Sequence, residues 1–180
     1  MALAFLTAHL LPSLGVLQDW SPVPLLLVRH AHAHARRDWS GDDRLRPLSP
    51  NGLRQAQGLV TVTKKFAPLS RVLSSPYLRC VQTVTPVADR TGVNVEEVPE
   101  LEEGQSSAAV KLVRSLAGCS VVVCTHGDVI AEILVTLADE DRVDLGSNPR
   151  QAKGSVWALE GGNGAFSSAD YFPPVIAETV

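Results

Sequence analysis

The chain has 180 residues, of which 45% are hydrophobic and 19% are charged. A single domain of this length buries about 70% of its unfolded surface, so the composition excludes general disorder. The formal net charge of −3 excludes an overall electrostatic attraction to a nucleic acid polymer, although a local basic pocket is compatible with it.

We interpret residues 1–22 as an N-terminal arm and residues 23–180 as the folded domain. The apolar stretch over 2–17 has no preceding Lys or Arg and contains Pro12, so it fits neither a signal peptide nor a membrane span. We expect this arm to pack on the domain or on a neighbouring subunit, and the second arrangement would make the protein a homodimer. A misplaced start codon is the alternative.

The cysteine pattern favours free thiols. Cys80, Cys119 and Cys124 form an odd set without a C-x-x-C pair, so neither a disulfide framework nor a cysteine zinc site is indicated. Free thiols are typical of reducing compartments, and we therefore predict a cytoplasmic location. Cys80 and Cys124 are expected to be small core residues.

The first half of the chain begins with a predicted strand. Residues 24–28 form a continuous apolar run after a proline-rich turn, which is typical of a strand buried on both faces. The charged segment over 31–47 is predicted to be a long loop, and such loops in compact domains are usually functional. Ser49 and Pro50 then provide an N-cap and a first-turn proline for a helix through about Phe66.

The second half continues the alternation of strands and helices. A strand over 71–74 precedes a helix from Tyr77 to about Arg90, in which Pro86 marks a kink or an early break. The last two strands flank a glycine-rich turn over 161–164 and are predicted to form a hairpin. The other predicted elements are helices over 106–116 and 128–137 and strands over 93–98, 120–124, 155–159 and 166–171.

This alternation predicts an α/β fold, specifically a three-layer α/β/α sandwich with a mostly parallel sheet and an antiparallel addition. In such sheets the functional site lies beyond the carboxyl ends of the strands. Arg29 and His30 follow one apolar strand, His126 follows another, and Arg79 comes shortly after a third. We expect these side chains to meet at one edge of the sheet.

Two histidines and two arginines in this position suit phosphoryl transfer through a phosphohistidine. A neutral imidazole has an ordinary pKa of about 6.5 and attacks phosphorus near neutral pH without a separate base. The planar guanidinium group matches phosphate oxygens, so the chemistry requires neither a metal nor another cofactor. A nearby carboxylic acid that protonates the departing oxygen would contribute a factor of about 10²–10⁴.

Four motifs place these residues in a recurring order between residues 24 and 137. They are LLLVRHA at 25–31, LSPNGLRQA at 48–56, SSPYLRCVQT at 74–83 and VCTHGDVI at 123–130. In this order they resemble the histidine phosphatase superfamily, which includes the cofactor-dependent phosphoglycerate mutases. The resemblance implies a phosphoglycerate mutase-like fold.

The resemblance also implies roles for individual residues. His30 is the implied nucleophile, Arg29 and Arg79 would hold the phosphoryl oxygens, and His126 would complete the phosphate pocket. Ala31 stands where the usual signature has glycine, as in the small branch of the superfamily that includes phosphohistidine protein phosphatases.

The proton donor of the family lies in a Leu-x-Glu segment, which here matches residues 101–103. Glu103 is the implied donor and Glu102 is the alternative. Some members of the small branch function without an acidic donor, so neither glutamate is required by the resemblance.

A narrower similarity involves residues 29–33, 41–48 and 153–159. These segments resemble the phosphatase domain at the C-terminus of some actinobacterial Nudix hydrolases, where it is associated with removing phosphate from nucleotides, including oxidised guanine diphosphates. The chain itself contains no Nudix box.

Further candidate substrate contacts lie near these motifs. Thr125 and Gly127 flank His126, and Arg36 and Arg37 lie in the long loop after the nucleophile. All four are predicted to bind substrate. The loop also contains Arg44 and Arg46 and three aspartates, so pairing on a solvated surface is the alternative for its arginines.

Aromatic and imidazole side chains in and after this loop have two interpretations. Trp39 is a candidate for contacting a substrate ring, whereas Trp157 is expected in the core. His30, His32 and His34 alternate and could face one side to bind a metal. Exposed loop positions are the favoured interpretation for the last two, because Arg29 would repel a cation.

The sequence therefore predicts a metal-independent phosphatase that hydrolyses phosphomonoesters or nucleotide phosphates through a covalent phosphohistidine. The alternatives are a protein phosphohistidine phosphatase and a non-catalytic module that binds a phosphate ligand. The expected partner is a small phosphorylated substrate or a phosphoprotein. Binding to a membrane or to a nucleic acid polymer is not expected. The short span between Arg79 and His126 leaves little room for a deep lid and argues against a mutase.

Overall fold

The computed structural model describes residues 24–66 and 68–177. The arm predicted for residues 1–22 lies outside the described residues. Six strands form one sheet in the order β3-β2-β4-β1-β5-β6. Their bounds are β1 (Leu25–Arg29), β2 (Arg71–Ser74), β3 (Val95–Glu97), β4 (Val121–Thr125), β5 (Val156–Gly162) and β6 (Ala165–Phe172).

The four helices cover both faces of this sheet. Leu26 and Val28 of β1 pack in a core with the first two helices, whereas Leu25 and Leu27 pack with the last two. Successive residues of a strand point to opposite faces, so the continuous apolar run of β1 follows from burial on both sides. The predicted three-layer α/β/α sandwich is confirmed. The helices are α1 (Pro50–Thr63), α2 (Leu78–Thr91), α3 (Ser106–Ser115) and α4 (Gly127–Glu140).

The sheet is parallel except at one side. β1 pairs in parallel with β4 and antiparallel with β5, and β5 pairs antiparallel with β6. The predicted hairpin between β5 and β6 is confirmed. Its turn places Asn163 at φ 54° and Gly164 at φ 81°, a combination that asparagine and glycine tolerate well.

Most element boundaries differ from the sequence prediction by a few residues. α2 extends to Thr91, close to the predicted end near Arg90, so Pro86 lies inside the helix and does not break it early. A helix tolerates an internal proline at a cost when the rest of it is well packed, and α2 buries six of its side chains. α1 changes to a 3-10 turn over Lys64–Phe66, and β3 is shorter than predicted.

The carboxyl ends of β1, β2 and β4 lie side by side because these strands are parallel neighbours. The backbone N–H of His30 donates to the Thr125 carbonyl at 3.0 Å, and that of Ser75 donates to the Cys124 carbonyl at 2.9 Å. These bonds fix the three segments that follow the strands relative to one another. Over the described ranges, no helix has the length and apolar character needed to span a membrane.

Candidate active site

His30 and His126 face each other at the carboxyl ends of β1 and β4. Their ring centroids lie 5.4 Å apart at an interplanar angle of 62°. Both side chains are buried, His126 completely. Sequence positions almost a hundred residues apart are thereby brought to one point at the sheet edge, where the sequence analysis expected them.

The ring of His30 has one free nitrogen. Its Nδ1 lies 2.8 Å from the Ala31 carbonyl oxygen, which can only accept a hydrogen bond. Nδ1 therefore carries the proton, and Nε2 keeps its lone pair. Burial, with smaller contributions from nearby His126, Arg79 and Arg29, lowers the pKa of His30 to about 3, against the raising effect of the hydrogen bond to the Ala31 carbonyl. The imidazole is neutral at physiological pH.

Arg79 connects the second histidine to an acid. This guanidinium group is fully buried, and its Nη2 donates to Glu103 Oε1 at 2.6 Å. The same carboxylate oxygen lies 3.2 Å from Nδ1 of His126, whose Nε2 is 2.8 Å from the Ser75 hydroxyl. Glu103 thus lies against two cationic or donor groups that an incoming anion would also contact.

Arg29 occupies the other side of the site. Its Nη1 donates to the Gln151 carbonyl oxygen at 2.5 Å. A Cβ added at Gly127 would lie 2.8 Å from the Arg29 Cζ and Nη2, so the guanidinium group rests directly on the glycine backbone at the start of α4. Gly127 therefore makes room for the arginine, and it also borders the pocket.

An open pocket of about 440 Å³ lies beside these groups, and the fully buried side chains of Arg79 and His126 lie behind its wall. Its wall combines basic, imidazole and carboxylate side chains with the amino-terminal end of α4. Backbone N–H groups at the start of a helix favour anions, which adds to the effect of the arginine. The lining residues are Arg29, His30, Glu103, Gly127, Asp128 and Gln151.

Asp43 organises the arginines behind the pocket, and the sequence analysis did not single it out. Its carboxylate accepts from Arg46 Nε at 2.7 Å and lies 3.1 Å from Arg79 Nη1 and 3.4 Å from Arg36 Nη1. Its backbone carbonyl also accepts from Arg79 Nη1 at 2.9 Å. These contacts lower the pKa of Asp43, led by the hydrogen bond from Arg46, so it stays ionised.

The predicted substrate contacts of the long loop lie apart from the pocket wall. The side chains of Arg36 and Arg37 are 72% and 88% exposed, and each pairs with an aspartate of its own loop. Arg46 is buried and donates to the His34 carbonyl. For these arginines the structure shows the pairing that the sequence analysis gave as the alternative.

Thr125 and Glu102, two other predicted site residues, lie outside the pocket wall. Thr125 is fully buried and its hydroxyl donates to the Leu101 carbonyl at 2.6 Å, so it does not line the pocket. The side chain of the last residue of β4 points into the fold and positions the segment that carries Glu103. Glu102 pairs with Arg44 and lies outside the pocket wall, which distinguishes it from Glu103.

Ser75, Asp128 and Gln151 complete the site and were missed from the sequence. The Asp128 carboxylate accepts from the Gly104 N–H at 2.9 Å and so fixes the residue after Glu103. Ser75 and Asp128 lie inside the quoted motifs, so their proximity to Arg79 and His126 in sequence could have identified them. Gln151 acts through its backbone carbonyl, for which side-chain identity gives no signal.

The other loop side chains have local partners. His32 Nδ1 lies 2.7 Å from the Ser49 hydroxyl, and His34 is exposed. The Trp39 indole N–H donates to the Asp42 carbonyl at 2.9 Å, whereas Trp157 is buried in the core, as expected. Within 24–66 and 68–177, no three His, Cys, Asp or Glu side chains cluster in a way that could hold a metal ion.

Comparisons with known proteins found matches to the sequence and to the fold. The model of the histidine phosphatase superfamily (branch 1) matches residues 25–107. The 8-oxo-(d)GTP phosphatase of Mycolicibacterium smegmatis is 32% identical over 156 residues, which are 83% of this chain and 48% of that protein. The chain thus spans about half the length of this relative.

Two comparisons concern SixA. The phosphohistidine phosphatase SixA of Escherichia coli is 29% identical over 143 residues, which cover 76% of this chain and 87% of SixA. A solved structure of the protein histidine phosphatase SixA complexed with tungstate has a TM-score of 0.66 at 22% identity and covers 84% of this chain and 96% of that one. The expected phosphoglycerate mutase-like fold is confirmed, and the chain matches the histidine phosphatase superfamily in sequence.

Proposed function

We propose that the protein is a metal-independent phosphatase that works through a phosphohistidine on His30. The observation that carries this proposal is the free Nε2 of a neutral imidazole, held by the Ala31 carbonyl beside Arg29, Arg79 and His126. Each of the two arginines also keeps a buried Nε–H without an acceptor among the described residues. A bound phosphoryl group would supply acceptors to this region.

In the first step, the lone pair of His30 Nε2 forms a bond to phosphorus while the bond from phosphorus to the leaving oxygen breaks. That oxygen departs with the bonding electron pair and takes a proton. Arg29, Arg79 and His126 stabilise the charge on the equatorial oxygens during this transfer. Because Nδ1–H remains bonded to Ala31, the ring keeps its orientation as positive charge develops on it.

In the second step, water attacks the phosphohistidine. The new P–O bond forms as the P–N bond breaks, its electrons return to Nε2, and the water proton passes to a nearby base. Inorganic phosphate leaves and the neutral imidazole is restored. No electron acceptor or metal is needed for this balance.

Glu103 is the proposed proton donor to the leaving oxygen and the base for the water. It lines the pocket, and its side chain is 38% exposed, which gives it access to both. A bound phosphoryl dianion would compete with the carboxylate for Arg79.

The proposed substrates are phosphomonoesters or nucleotide phosphates. The relative from Mycolicibacterium smegmatis is named for a nucleotide substrate, and an open pocket admits a leaving group of varied size. The second candidate function is a protein phosphohistidine phosphatase, favoured by the likeness to SixA over 87% of its length.

A cytoplasmic location and a homodimer also stay predictions. The free thiols of Cys80, Cys119 and Cys124 support the former, and light scattering would measure the latter.

Hydrolysis of p-nitrophenyl phosphate tests the proposal. The wild-type chain is expected to turn over this ester equally well with and without EDTA, and His30→Ala is expected to lose at least about 10³-fold in kcat because the nucleophile is gone. Lys111→Met, on the exposed face of α3, is the matched control and should retain full activity.

Two results would contradict this assignment. Turnover that EDTA abolishes would require a metal-dependent mechanism. Binding of phosphate without turnover of any ester, nucleotide or phosphohistidine protein would favour the non-catalytic binding module.

A further inference from the structure

A backbone carbonyl determines which ring nitrogen of His30 carries a proton. Nδ1 donates to the Ala31 carbonyl oxygen at 2.8 Å, and this bond leaves the lone pair on Nε2. A neutral imidazole has two tautomers, and the hydrogen bond made by one nitrogen selects between them. The position of the Ala31 carbonyl therefore controls whether Nε2 of His30 can attack phosphorus.

This carbonyl belongs to the peptide unit that joins Ala31 to His32. The C=O and N–H of a trans peptide lie in one plane and point in opposite directions. At the other end of the unit, the His32 N–H donates to the side-chain Oε1 of Gln55 at 2.8 Å. Gln55 thus holds one end of the same rigid unit whose other end holds the imidazole.

The backbone groups on both sides of this peptide unit have other partners. The Ala31 N–H donates to the Thr83 hydroxyl at 2.9 Å. The His32 carbonyl accepts from the Ser49 N–H at 2.9 Å. With its neighbours held, the unit keeps one main freedom, which is rotation about the axis through the Cα atoms of residues 31 and 32. The bond from the His32 N–H to Gln55 opposes this rotation.

Gln55 acts from behind the pocket. It belongs to α1, is 8% exposed and lies outside the pocket wall. Of the two ends of its amide only Oε1 accepts a hydrogen bond, so the His32 N–H also fixes the orientation of the amide. The steps proposed for His30 give this glutamine no direct contact with the phosphoryl group.

We propose that Gln55 is a positioning residue for the nucleophile, whose Oε1 holds the peptide unit of residues 31 and 32 so that the Ala31 carbonyl keeps the proton on His30 Nδ1. This inference rests on the proposed function and adds to it a residue that acts through the backbone. Without the bond to Gln55, the peptide unit rotates more freely and the Ala31 carbonyl loses contact with Nδ1 for part of the time. The ring then also populates the tautomer with the proton on Nε2, which has no lone pair there for the attack on phosphorus.

Steady-state kinetics with p-nitrophenyl phosphate test this role. Gln55→Met keeps the length of the side chain but lacks the amide oxygen. We expect it to lower kcat by about 10²-fold, because a displacement of about 1 Å in a positioned group has a cost of that size. KM should change by less than about threefold, since the groups that hold the phosphoryl oxygens stay in place. Gln55→Glu keeps an acceptor at the same position and should restore most of kcat.

Nitrogen-15 NMR of the imidazole rings supplies a readout that a merely structural role would not change. The signals separate a ring nitrogen that carries a proton from one that has a free lone pair. Comparison with His30→Gln identifies the signals of His30 among the five histidines. Wild type and Gln55→Glu are expected to show the proton on Nδ1, whereas Gln55→Met should show partial protonation of both nitrogens at the same pH.

Matched variants separate this role from a general effect on α1. Gln57→Met changes an exposed glutamine of the same helix and should retain the wild-type kcat and the wild-type ring signals of His30. Gln55→Leu serves as a second variant without an acceptor. The thermal unfolding midpoint of each variant is measured so that only folded proteins are compared.

The outcomes distinguish the two proposals. Wild-type kcat together with wild-type ring signals in Gln55→Met and Gln55→Leu would overturn the role of Gln55. So would an equal loss of kcat in Gln55→Met and Gln55→Glu with the His30 proton still on Nδ1. Wild-type protein that turns over no ester would contradict the proposed function, and the ring signals of wild type and Gln55→Met would then decide the role of Gln55 by themselves.

Discussion

The buried imidazole of His30 makes the stability of the fold depend on pH. Its pKa of about 3 in the folded chain lies below the ordinary value of about 6.5 that applies when the chain unfolds. The unfolded state therefore binds a proton that the folded state excludes. The contribution of His30 to stability is fully present above pH 6.5 and is lost progressively as the pH falls toward 3.

This difference predicts a specific pH dependence. Between pH 6.5 and 4, His30 should lower the free energy of unfolding by up to about 1.4 kcal/mol per pH unit as the pH falls. Urea unfolding of the wild type and of His30→Gln over this range measures the contribution, because the variant lacks the titrating group. Parallel pH profiles of the two proteins would show that His30 is not held neutral by the fold.

Gly127 leaves room for the Arg29 guanidinium group because it has no side chain. An alanine Cβ there would lie 2.8 Å from the Arg29 guanidinium group and displace it from the pocket. We expect Gly127→Ala to lower kcat/KM for p-nitrophenyl phosphate by about 10²-fold, since a shift of about 1 Å in a positioned group has that cost. Gly162→Ala, where nothing lies within 4 Å of the added Cβ, is the control. Equal activity of both variants would indicate that Arg29 does not position the phosphoryl group.

At the scale of elements, Asp141 joins α3, α4 and the β5-β6 hairpin. Its carboxylate accepts from Arg114 Nη1 at 3.0 Å and from the Phe166 N–H at 3.0 Å, and its side chain is 8% exposed. Arg114 also donates to the Gly164 carbonyl. The α3-α4 layer and the hairpin turn are therefore fastened by a partly buried charged network.

Removal of this carboxylate should destabilise the fold. We expect Asp141→Ala to lower the free energy of unfolding by about 2–4 kcal/mol, because Arg114 and the Phe166 N–H lose their acceptor. The neighbouring Glu140 pairs with the same arginine but is 65% exposed, so Glu140→Ala should cost no more than about 1 kcal/mol. Chemical unfolding of both variants compares the two, and a similar loss in each would contradict the role of burial.

The sequence predicted these elements well where the pattern was long or strongly apolar. β1 and β4 are continuous apolar runs, and Ser49 caps α1 by accepting from the Gly52 N–H, as its position before Pro50 indicated. Pro86 and β3 were less predictable. The proline is tolerated because of packing by other parts of the chain, and the short edge strand depends on pairing with β2.

The sequence predicted those site residues that come shortly after the carboxyl ends of strands. His30, His126 and Arg79 converge because β1, β4 and β2 are parallel neighbours. The arginine pairings of the long loop could not be predicted, since three aspartates and four arginines allow many combinations. Thr125 likewise turned inward because side chains alternate along β4, which its position beside His126 does not reveal.

At the scale of the whole molecule, the sheet order divides the site between distant parts of the chain. β1 leads into His30, the proposed nucleophile, and lies between β4 and β5, so its two neighbours are contributed by residues that follow it by almost a hundred positions or more. The pocket lies at the carboxyl ends of the neighbouring strands β1 and β4. The shape of this pocket therefore depends on loops from both halves of the chain.

The position of β5 has a consequence for synthesis on the ribosome. Until β5 emerges, β1 has no partner on one side and presents the apolar run over 25–28 as an unprotected strand edge, a form prone to self-association. Gly154, which hydrogen-bonds to the nucleophile segment, emerges at the same late stage. We therefore expect a chain truncated near residue 150 to lack activity and to self-associate, because β1 keeps an unpaired edge and residues 29 and 30 lose their bonds to Gly154.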